Sequence, residues 1–439
     1  MTDTDGFAFF VGIDWGSQAH QVCVLNAQGE ILGERQVLHT AAALEELFGW
    51  FAKLTDGALA GLAIAIEVPR GPLVETLLER GLTVFSLNPK QLDRFRDRYF
   101  PAGAKDDRRD AFVLGRSLRT DRHCFRLVRR DDPPVIRLRD LSRLDEELGV
   151  NFRRYACQLR EQLQRYYPQL LALCPQADEP WLWSLLEAAP NAAKSKRLSE
   201  ARIEKLLHAH RVRRLRAAEV AEQLRAPGFA LAPGTVEAAS EHALLLVPHL
   251  RLLAEQRGEL AARLEAVLEE LAGEEAAEGE KPQHRDVTIL RSLPGAGRVV
   301  AATMLAEAAQ ALAERDYHAL RAYAGVAPLT RQSGKHRSVQ MRYSCNLRMR
   351  NATYHWARVS MQQDAVSHEH YRQLRARGHS HGRALRGVAD RLLAVLCAML
   401  RSRTLFDTTR RHGQLHPVAS NAAPHGAARR KGTHPSPTA

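Results

Sequence analysis

The densest acidic motif in the chain, Lys105-Asp106-Asp107-Arg108-Arg109-Asp110-Ala111, opens a predicted helix that runs to about Leu118. On that helix Asp107 and Asp110 stand one turn apart and share a face with Ala111, Leu114 and Leu118. Two like charges about 4 Å apart repel by about 4 kcal/mol at an effective dielectric near 20, so acids turned toward a core require a cation. Two further acids end apolar runs: Asp14 follows residues 7–13, and Glu67 follows Leu62 to Ile66. Asp14, Glu67, Asp107 and Asp110 are therefore a candidate four-carboxylate site for two Mg2+ ions, the arrangement that clamps the attacking and leaving oxygens of a phosphodiester. The plainer alternative is that Asp107 and Asp110 pair with Arg108 and Arg109 or cap their helix, while Asp14 and Glu67 merely end their strands.

A second candidate is Ser333, within Tyr323-Ala324-Gly325-Val326-Ala327-Pro328-Leu329-Thr330-Arg331-Gln332-Ser333-Gly334-Lys335-His336. The Gly and Pro content predicts a loop. Between Arg331 and Asn351 there are six Arg or Lys residues and no acid, a field suited to a scissile phosphate. A serine hydroxyl in that field would attack phosphorus and conserve the bond energy in a phosphoserine link that a second DNA end can reverse. That is recombination chemistry rather than hydrolysis. A plain Ser-Gly turn is the competing explanation, and no neighbouring residue is identifiable as the base. Arg331, Lys335, His336, Arg337, Arg342 and Arg348 are the candidate nucleic-acid contacts. Gly295 and Gly297, in Leu293-Pro294-Gly295-Ala296-Gly297, resemble a helix-hairpin-helix, whose amides meet DNA phosphate without reading bases; a structural turn explains them as well.

The elements that must position these groups follow from periodicity. The run ending at Asp14 is a strand covered on both faces, residues 22–25 and 31–37 form a hairpin continuing that sheet, and Thr40 caps a helix carrying Leu44, Leu47, Phe48 and Phe51. The strand ending at Glu67, a helix between Pro72 and Gly81, a strand over 82–87 and a helix from Asn88-Pro89 follow. Three strands and then alternating helix and strand is the order of an RNase H-like (RuvC-like) α/β fold, although an actin-like ATPase half begins the same way. Gly12-Ile13-Asp14-Trp15-Gly16-Ser17 resembles the first phosphate loop of such ATPases, but no second phosphate or adenosine motif accompanies it.

Beyond Pro133-Pro134 two long near-heptad stripes appear: Leu148, Phe152, Tyr155, Leu159, Leu163, Tyr166, and Leu250, Leu253, Leu260, Leu264, Val267, Leu271. They predict an antiparallel helical hairpin, an oligomerising coiled coil, or equally helices packed within one protomer. The resulting division is an α/β domain at 1–132, a helical coiled-coil region at 133–272, an acidic linker at 273–284, a mostly α C-terminal domain at 285–407 and a basic, disordered tail at 408–439 containing Arg429-Arg430-Lys431. The interval between Pro175 and Leu246 has no motif to identify its role.

Composition bounds the partners. The 439 residues carry 63 Lys and Arg against 50 Asp and Glu, a net +13 that points to a polyanion. With 45% hydrophobic and 26% charged residues the chain can bury more than one core, and no apolar stretch is long enough for a membrane span. The six cysteines stand singly without zinc spacing, and the start lacks a secretory pattern, so a reducing, cytoplasmic setting is expected.

In their joint order, Gly12-Ile13-Asp14, Ile66-Glu67-Val68-Pro69, Lys105-x-Asp107-x-x-Asp110-Ala111 and Gly325-x-x-Pro328 followed by Ser333-Gly334-Lys335 resemble the DEDD transposases of the IS one-ten / IS eleven-eleven insertion-sequence family. The likeness extends from about Phe7 to Phe406. It implies that Asp14, Glu67, Asp107 and Asp110 bind Mg2+ in a RuvC-like domain and that Ser333 is the nucleophile of a C-terminal transposase domain. Asp106 fills a slot often held by Thr, Ser or Asn, and the spacing to Asp110 assigns Asp107 as the ligand. The resemblance also implies double-stranded DNA partners (element ends and target), a structured bridge RNA as guide, and a dimer or tetramer in which domains of different protomers meet, in a bacterial, nucleoid-associated setting. Two rivals remain at this point: a RuvC-like, metal-dependent junction endonuclease with no covalent serine intermediate, and a basic RNA- or DNA-binding protein without activity.

Overall fold

A computed structural model describes residues 6–100, 106–273, 285–334 and 336–407, so Lys105, Lys335, most of the acidic linker and the basic tail lie outside the described residues. The chain divides into two compact units, Met1–Ile136 and Arg137–Ala439.

The first unit is built on one six-stranded mixed sheet. β1 (Phe9–Asp14), β2 (Ala19–Asn26) and β3 (Ile31–Leu38) form an antiparallel meander, and β4 (Leu62–Ile66) and β5 (Thr83–Ser86) add in parallel on the other side of β1. A short β6 (Arg126–Val128) runs antiparallel to β5 and gives the order β3-β2-β1-β4-β5-β6. That order is consistent with an RNase H-like fold. All five residues of β4 are buried, as a strand covered on both faces must be. One face is covered by α1 (Ala41–Leu54), capped by Thr40 as expected, and by α2 (Pro72–Glu79). The other is covered by α3 (Pro89–Tyr99) and α4 (Asp107–Thr120).

Three of the sheet residues on the α4 side are small: Gly12, Ala63 and Ala65. Phe10, Gly12, Ala63 and Ala65 alternate along β1 and β4 with the residues that face α1, and Ala111 and Leu114 pack on that side. A Cβ at Gly12 would overlap the Ala111 carbonyl oxygen and lie 2.5 Å from the Gly115 amide nitrogen. The helix backbone thus rests directly on β1. In the run that resembles a phosphate loop, Gly12 is used for helix packing.

In the second unit α5 (Pro133–Tyr166) and α11 (Pro233–Ala272) run antiparallel. Arg137 pairs with Glu270, Asp145 with Arg257, and the Tyr155 ring stacks 5.0 Å from His249. Their stripes are buried within the chain, at Leu159, Leu163, Leu250, Leu260, Leu264 and Val267. Of the packings the spacing permits, this is the intramolecular one. The five short helices α6 (Pro168–Leu173), α7 (Pro180–Ala188), α8 (Ala192–Ser195), α9 (Glu200–Ala209) and α10 (Ala217–Arg225) form a separate core with the adjoining ends of α5 and α11, centred on Trp181 and Trp183. The segment that carried no motif is therefore a packed helical cap.

The remaining helices are α12 (Asp286–Ser292), α13 (Arg298–Glu307), α14 (Ala309–Ala313), α15 (Tyr317–Tyr323), α16 (Leu347–Gln363), α17 (Ala365–Ala376) and α18 (His381–Ser402). They surround one core with the C-terminal part of α11, and Trp356 is its largest fully buried side chain. A two-stranded hairpin, β7 (Leu329–Ser333) and β8 (His336–Gln340), projects between α15 and α16. Among the described residues no helix is long and apolar enough to cross a membrane, and all six cysteines are free thiols.

Candidate active site

The register of β1 on β4 places the first two acids together. Residues 9–13 lie opposite 62–66 in parallel; Asp14 is the last residue of β1 and Glu67 the first residue after β4, so both stand at the same end of the sheet. Asp14 continues the alternation of Gly12, which faces α4. On α4, Ala111 and Gly115 form the row seated on Gly12, and Asp107 is the preceding member of that row, four residues earlier. One helical turn rises about 5.4 Å and two strand residues about 6.6 Å, so Asp107 comes over the β1 end that carries Asp14. Asp106 serves instead as the helix N-cap, its carboxylate accepting from the Arg108 amide. Asp14 and Glu67 are half-buried and Asp107 is exposed.

Asp110 behaves differently. It is 2% exposed, and both carboxylate oxygens accept from Arg96 of α3, at 2.6 Å from Nε and 2.8 Å from Nη2. The hydrogen bond to Asp110 is the largest influence raising the Arg96 pKa. The partners suggested by sequence adjacency are engaged elsewhere: Arg108 binds Glu34 and Arg109 lies over the Phe100 ring. The acid nearest a core has thus recruited a guanidinium 14 residues away on another helix. Arg96→Met should strand a buried carboxylate and cost about 3–5 kcal/mol. If Asp110 also serves a divalent ion, Mg2+ should raise the melting temperature of Arg96→Met more than that of the parent; equal shifts would make Asp110 a partner of Arg96 alone.

The donor set of Asp14, Glu67 and Asp107 is the all-oxygen kind that hard divalent cations take. Their carboxylates are not drawn to ligand distance. Among the described residues, the one trio of Asp, Glu, His or Cys ligand atoms within 4.8 Å of one another is Cys174, Asp178 and Glu179. That trio is held by other bonds, since Glu179 accepts from Arg214 and from Trp181 Nε1, and burial raises the Cys174 thiol pKa.

The stretch expected as a loop at Ser333 is instead an antiparallel hairpin. Gly334 adopts φ +55°, the left-handed conformation demanded at the first centre of a tight two-residue turn. Ser333 closes that turn opposite His336, with Gln332 opposite Arg337 and Arg331 opposite Ser338. Cross-strand partners and alternate residues share a face, so Arg331, Ser333, His336 and Ser338 line one side while Gln332 and Arg337 line the other. Ser333 and its neighbours on the strands are exposed. The imidazole that the sequence did not single out as a base is thus directly across from the serine.

The other candidate contacts divide. Arg342 Nε donates to the Ala327 carbonyl at 3.4 Å. Arg348 is an internal strut: Nη1 donates to Glu307 at 2.9 Å, and Nη2 donates at 2.8 Å to the Ser142 carbonyl and hydroxyl. Burial pushes the Glu307 pKa up, but bonds from Arg143 and Asn346 and the nearby Arg348 charge outweigh it and leave the pKa lowered. Arg348 is therefore held by internal partners on α5 and α13. Gly295, at φ +78°, lets the turn between α12 and α13 lie against α16, since a Cβ there would come 2.7 Å from the Ser360 amide nitrogen. Trp356 Nε1 fixes the same turn through the Pro294 carbonyl at 3.0 Å. Gly297 caps α13 and faces open space.

Comparison with known proteins matches residues 11–168 to a DEDD family profile described as a transposase. Residues 287–372 match a profile described as the transposase of the IS116/IS110/IS902 family. The chain is 31% identical to a Streptomyces coelicolor protein named as the mini-circle transposase for IS117, over 95% of this chain and 99% of that one. It is 47% identical to a Sinorhizobium fredii protein named as transposase y4uE, over 48% of this chain and 59% of that protein's length. An IS110 insertion-element protein of Streptomyces coelicolor is 28% identical over 93% of this chain and 98% of its own.

Proposed function

The chain belongs to the IS116/IS110/IS902 family of insertion-sequence transposases, and from that premise we propose that it cleaves and exchanges DNA strands with two sets of groups, the acids of the first unit and Ser333 of the second. What supports the reading is that β1 ends at Asp14 beside the end of β4 that precedes Glu67, and that α4, which begins at Asp107, is seated on Gly12 of β1. Asp14, Glu67 and Asp107, with Asp110 beside them on α4, would hold divalent metal, Mg2+ by the chemistry of the donors. When bound, that metal supplies positive charge at the oxygens of the scissile phosphodiester.

The residues of the second unit have the following roles in this reading. Ser333 Oγ attacks phosphorus and forms the phosphoserine ester while the 3′ oxygen leaves; a second 3′ hydroxyl reverses the step. His336, across the hairpin, takes the serine proton and returns it to the departing oxygen. Arg331, on the same face, neutralises the phosphate. Arg337 and Lys335 extend the positive field, and Gly297 offers amides to a backbone phosphate. Double-stranded element ends and target are the DNA partners. We include in the proposal a structured bridge RNA as guide and a dimer or tetramer that brings the two sets of groups together between protomers.

The test uses the full chain, element-end DNA and Mg2+. A protease-resistant serine–DNA adduct should form, and should be lost with chelator. Asp14→Asn and Glu67→Gln should each lower strand cleavage by at least about 10²-fold, the scale of losing an electrostatic stabiliser at a reacting phosphate. Cleavage at full rate with no adduct would favour the hydrolytic junction nuclease over the recombinase. Absence of both would leave only a nucleic-acid-binding protein. Sequencing the RNA that copurifies should yield one discrete structured transcript; random cellular RNA would refute guidance.

A further inference from the structure

At the root of the serine hairpin, between Val326 before β7 and Met341 after β8, lies a cleft of about 280 Å³. Two arginines from different helices line it, Arg350 of α16 and Arg386 of α18, together with Asn351 and the Tyr354 ring. Both arginines are half-buried. Several half-buried arginines of this unit are neutralised, Arg321 by Asp390, Arg315 by Asp286 and Arg348 by Glu307. Arg350 and Arg386 have no carboxylate partner among the described residues. Asp390, the acid one turn along α18 from Arg386, is taken by Arg321 and by the Tyr317 hydroxyl. On α16, no acid stands within a turn of Arg350 in either direction. Two guanidinium ions facing one partly desolvated cleft repel each other unless an anion joins them.

The rest of the lining says which anion. Val326, Met341, Ala324 and Ala389 give an apolar wall, and Tyr354 adds an aromatic ring one turn from Arg350. A bare phosphate would leave that wall unused. A volume near the lower end of small-ligand pockets suits one nucleotide, with its phosphate between the guanidiniums, its base against Tyr354 and the apolar side, and Asn351 offering an amide to the base edge. We propose that this cleft binds a single everted nucleotide of a nucleic-acid strand, anchoring the strand at the base of the hairpin that carries Ser333. The assignment rests on the reading that this unit handles a nucleic-acid strand, but needs no reaction at Ser333.

The test is calorimetric titration of the full chain with thymidine 5′-monophosphate, thymidine, inorganic phosphate and a 5′-phosphorylated thymidine tetranucleotide. The monophosphate should bind saturably, the tetranucleotide more tightly, and thymidine and inorganic phosphate each at least about tenfold more weakly than the monophosphate. Arg350→Gln and Arg386→Gln should each weaken monophosphate and tetranucleotide by about tenfold. Asn351→Asp, at an exposed position that tolerates the change, should do the same by repelling the phosphate. Near-UV circular dichroism identical to the parent establishes that the variants are folded. Full-affinity binding by these folded variants, or inorganic phosphate binding as tightly as the monophosphate, overturns the proposal. Ser333→Ala should bind all four probes as the parent does. A chain that binds nucleotide yet forms no serine adduct would sink the catalytic reading alone; one that forms the adduct while the arginine variants bind normally would sink only the cleft.

Discussion

Ser333→Ala is expected to eliminate the covalent protein–DNA product and lower strand exchange by at least about 10³-fold, while leaving folding stability within about 0.5 kcal/mol. Both halves follow from where the hydroxyl sits. It is exposed at the tip of a hairpin, so its removal opens no cavity. It is also the hydroxyl that the register sets opposite an imidazole and beside a guanidinium on the same face. Denaturing gels after protease digestion read the adduct, and thermal melting reads the fold. His336→Gln provides the finer measurement: the adduct should still form, but about 10²-fold more slowly. An unchanged rate of adduct formation would remove His336 from proton transfer without touching Ser333. Normal strand exchange by Ser333→Ala would end the nucleophile assignment and return the hydrolytic reading to first place.

The sequence disclosed the strand ends and concealed the side-chain partners. Continuous apolar runs before Asp14 and Glu67 announced two buried strands, because a strand covered on both faces has no polar alternation to blur it. That the two acids stand at the same end of the sheet required the register, which no local pattern states. Arg96 escaped notice because its partner is 14 residues away on another helix, whereas Arg108 and Arg109, adjacent to the acids in sequence, point to Glu34 and Phe100. β6 was invisible for an energetic reason: Arg126, Leu127 and Val128 lie at a sheet edge and are largely exposed, so nothing selects for an apolar run. The hairpin at Ser333 was read as a loop for the same reason, since its paired strands are largely exposed. The long stripes of α5 and α11 gave the helices but not the partner; the pairs Arg137–Glu270 and Asp145–Arg257 mark the antiparallel direction within one chain.

Gly12→Ala is expected to cost about 3 kcal/mol or more, from one methyl group, and to take the acidic site with it. The added Cβ meets backbone, the Ala111 carbonyl and the Gly115 amide, so no rotamer change can make room. Relief requires α4 to lift away from β1, uncovering Phe10, Leu114 and Leu118 and breaking the row that carries Asp107 over Asp14. Gly49→Ala is the matched control: it lies within α1, a Cβ there meets nothing within 4 Å, and the change should be neutral or stabilising by up to about 1 kcal/mol. Because the chain has two units, a single melting curve would mix their transitions, and amide hydrogen exchange resolved to β1, β4 and α4 is the appropriate measure. Gly12→Ala should lose protection in those three elements and lose metal-dependent cleavage, even though residue 12 bears no functional group. If protection persists and cleavage survives, α4 does not rest on β1 as described. The placement of Asp107 over the end of β1 that carries Asp14 would then lose its physical basis, because the close approach at Gly12 is what sets the height and direction of the helix above that strand.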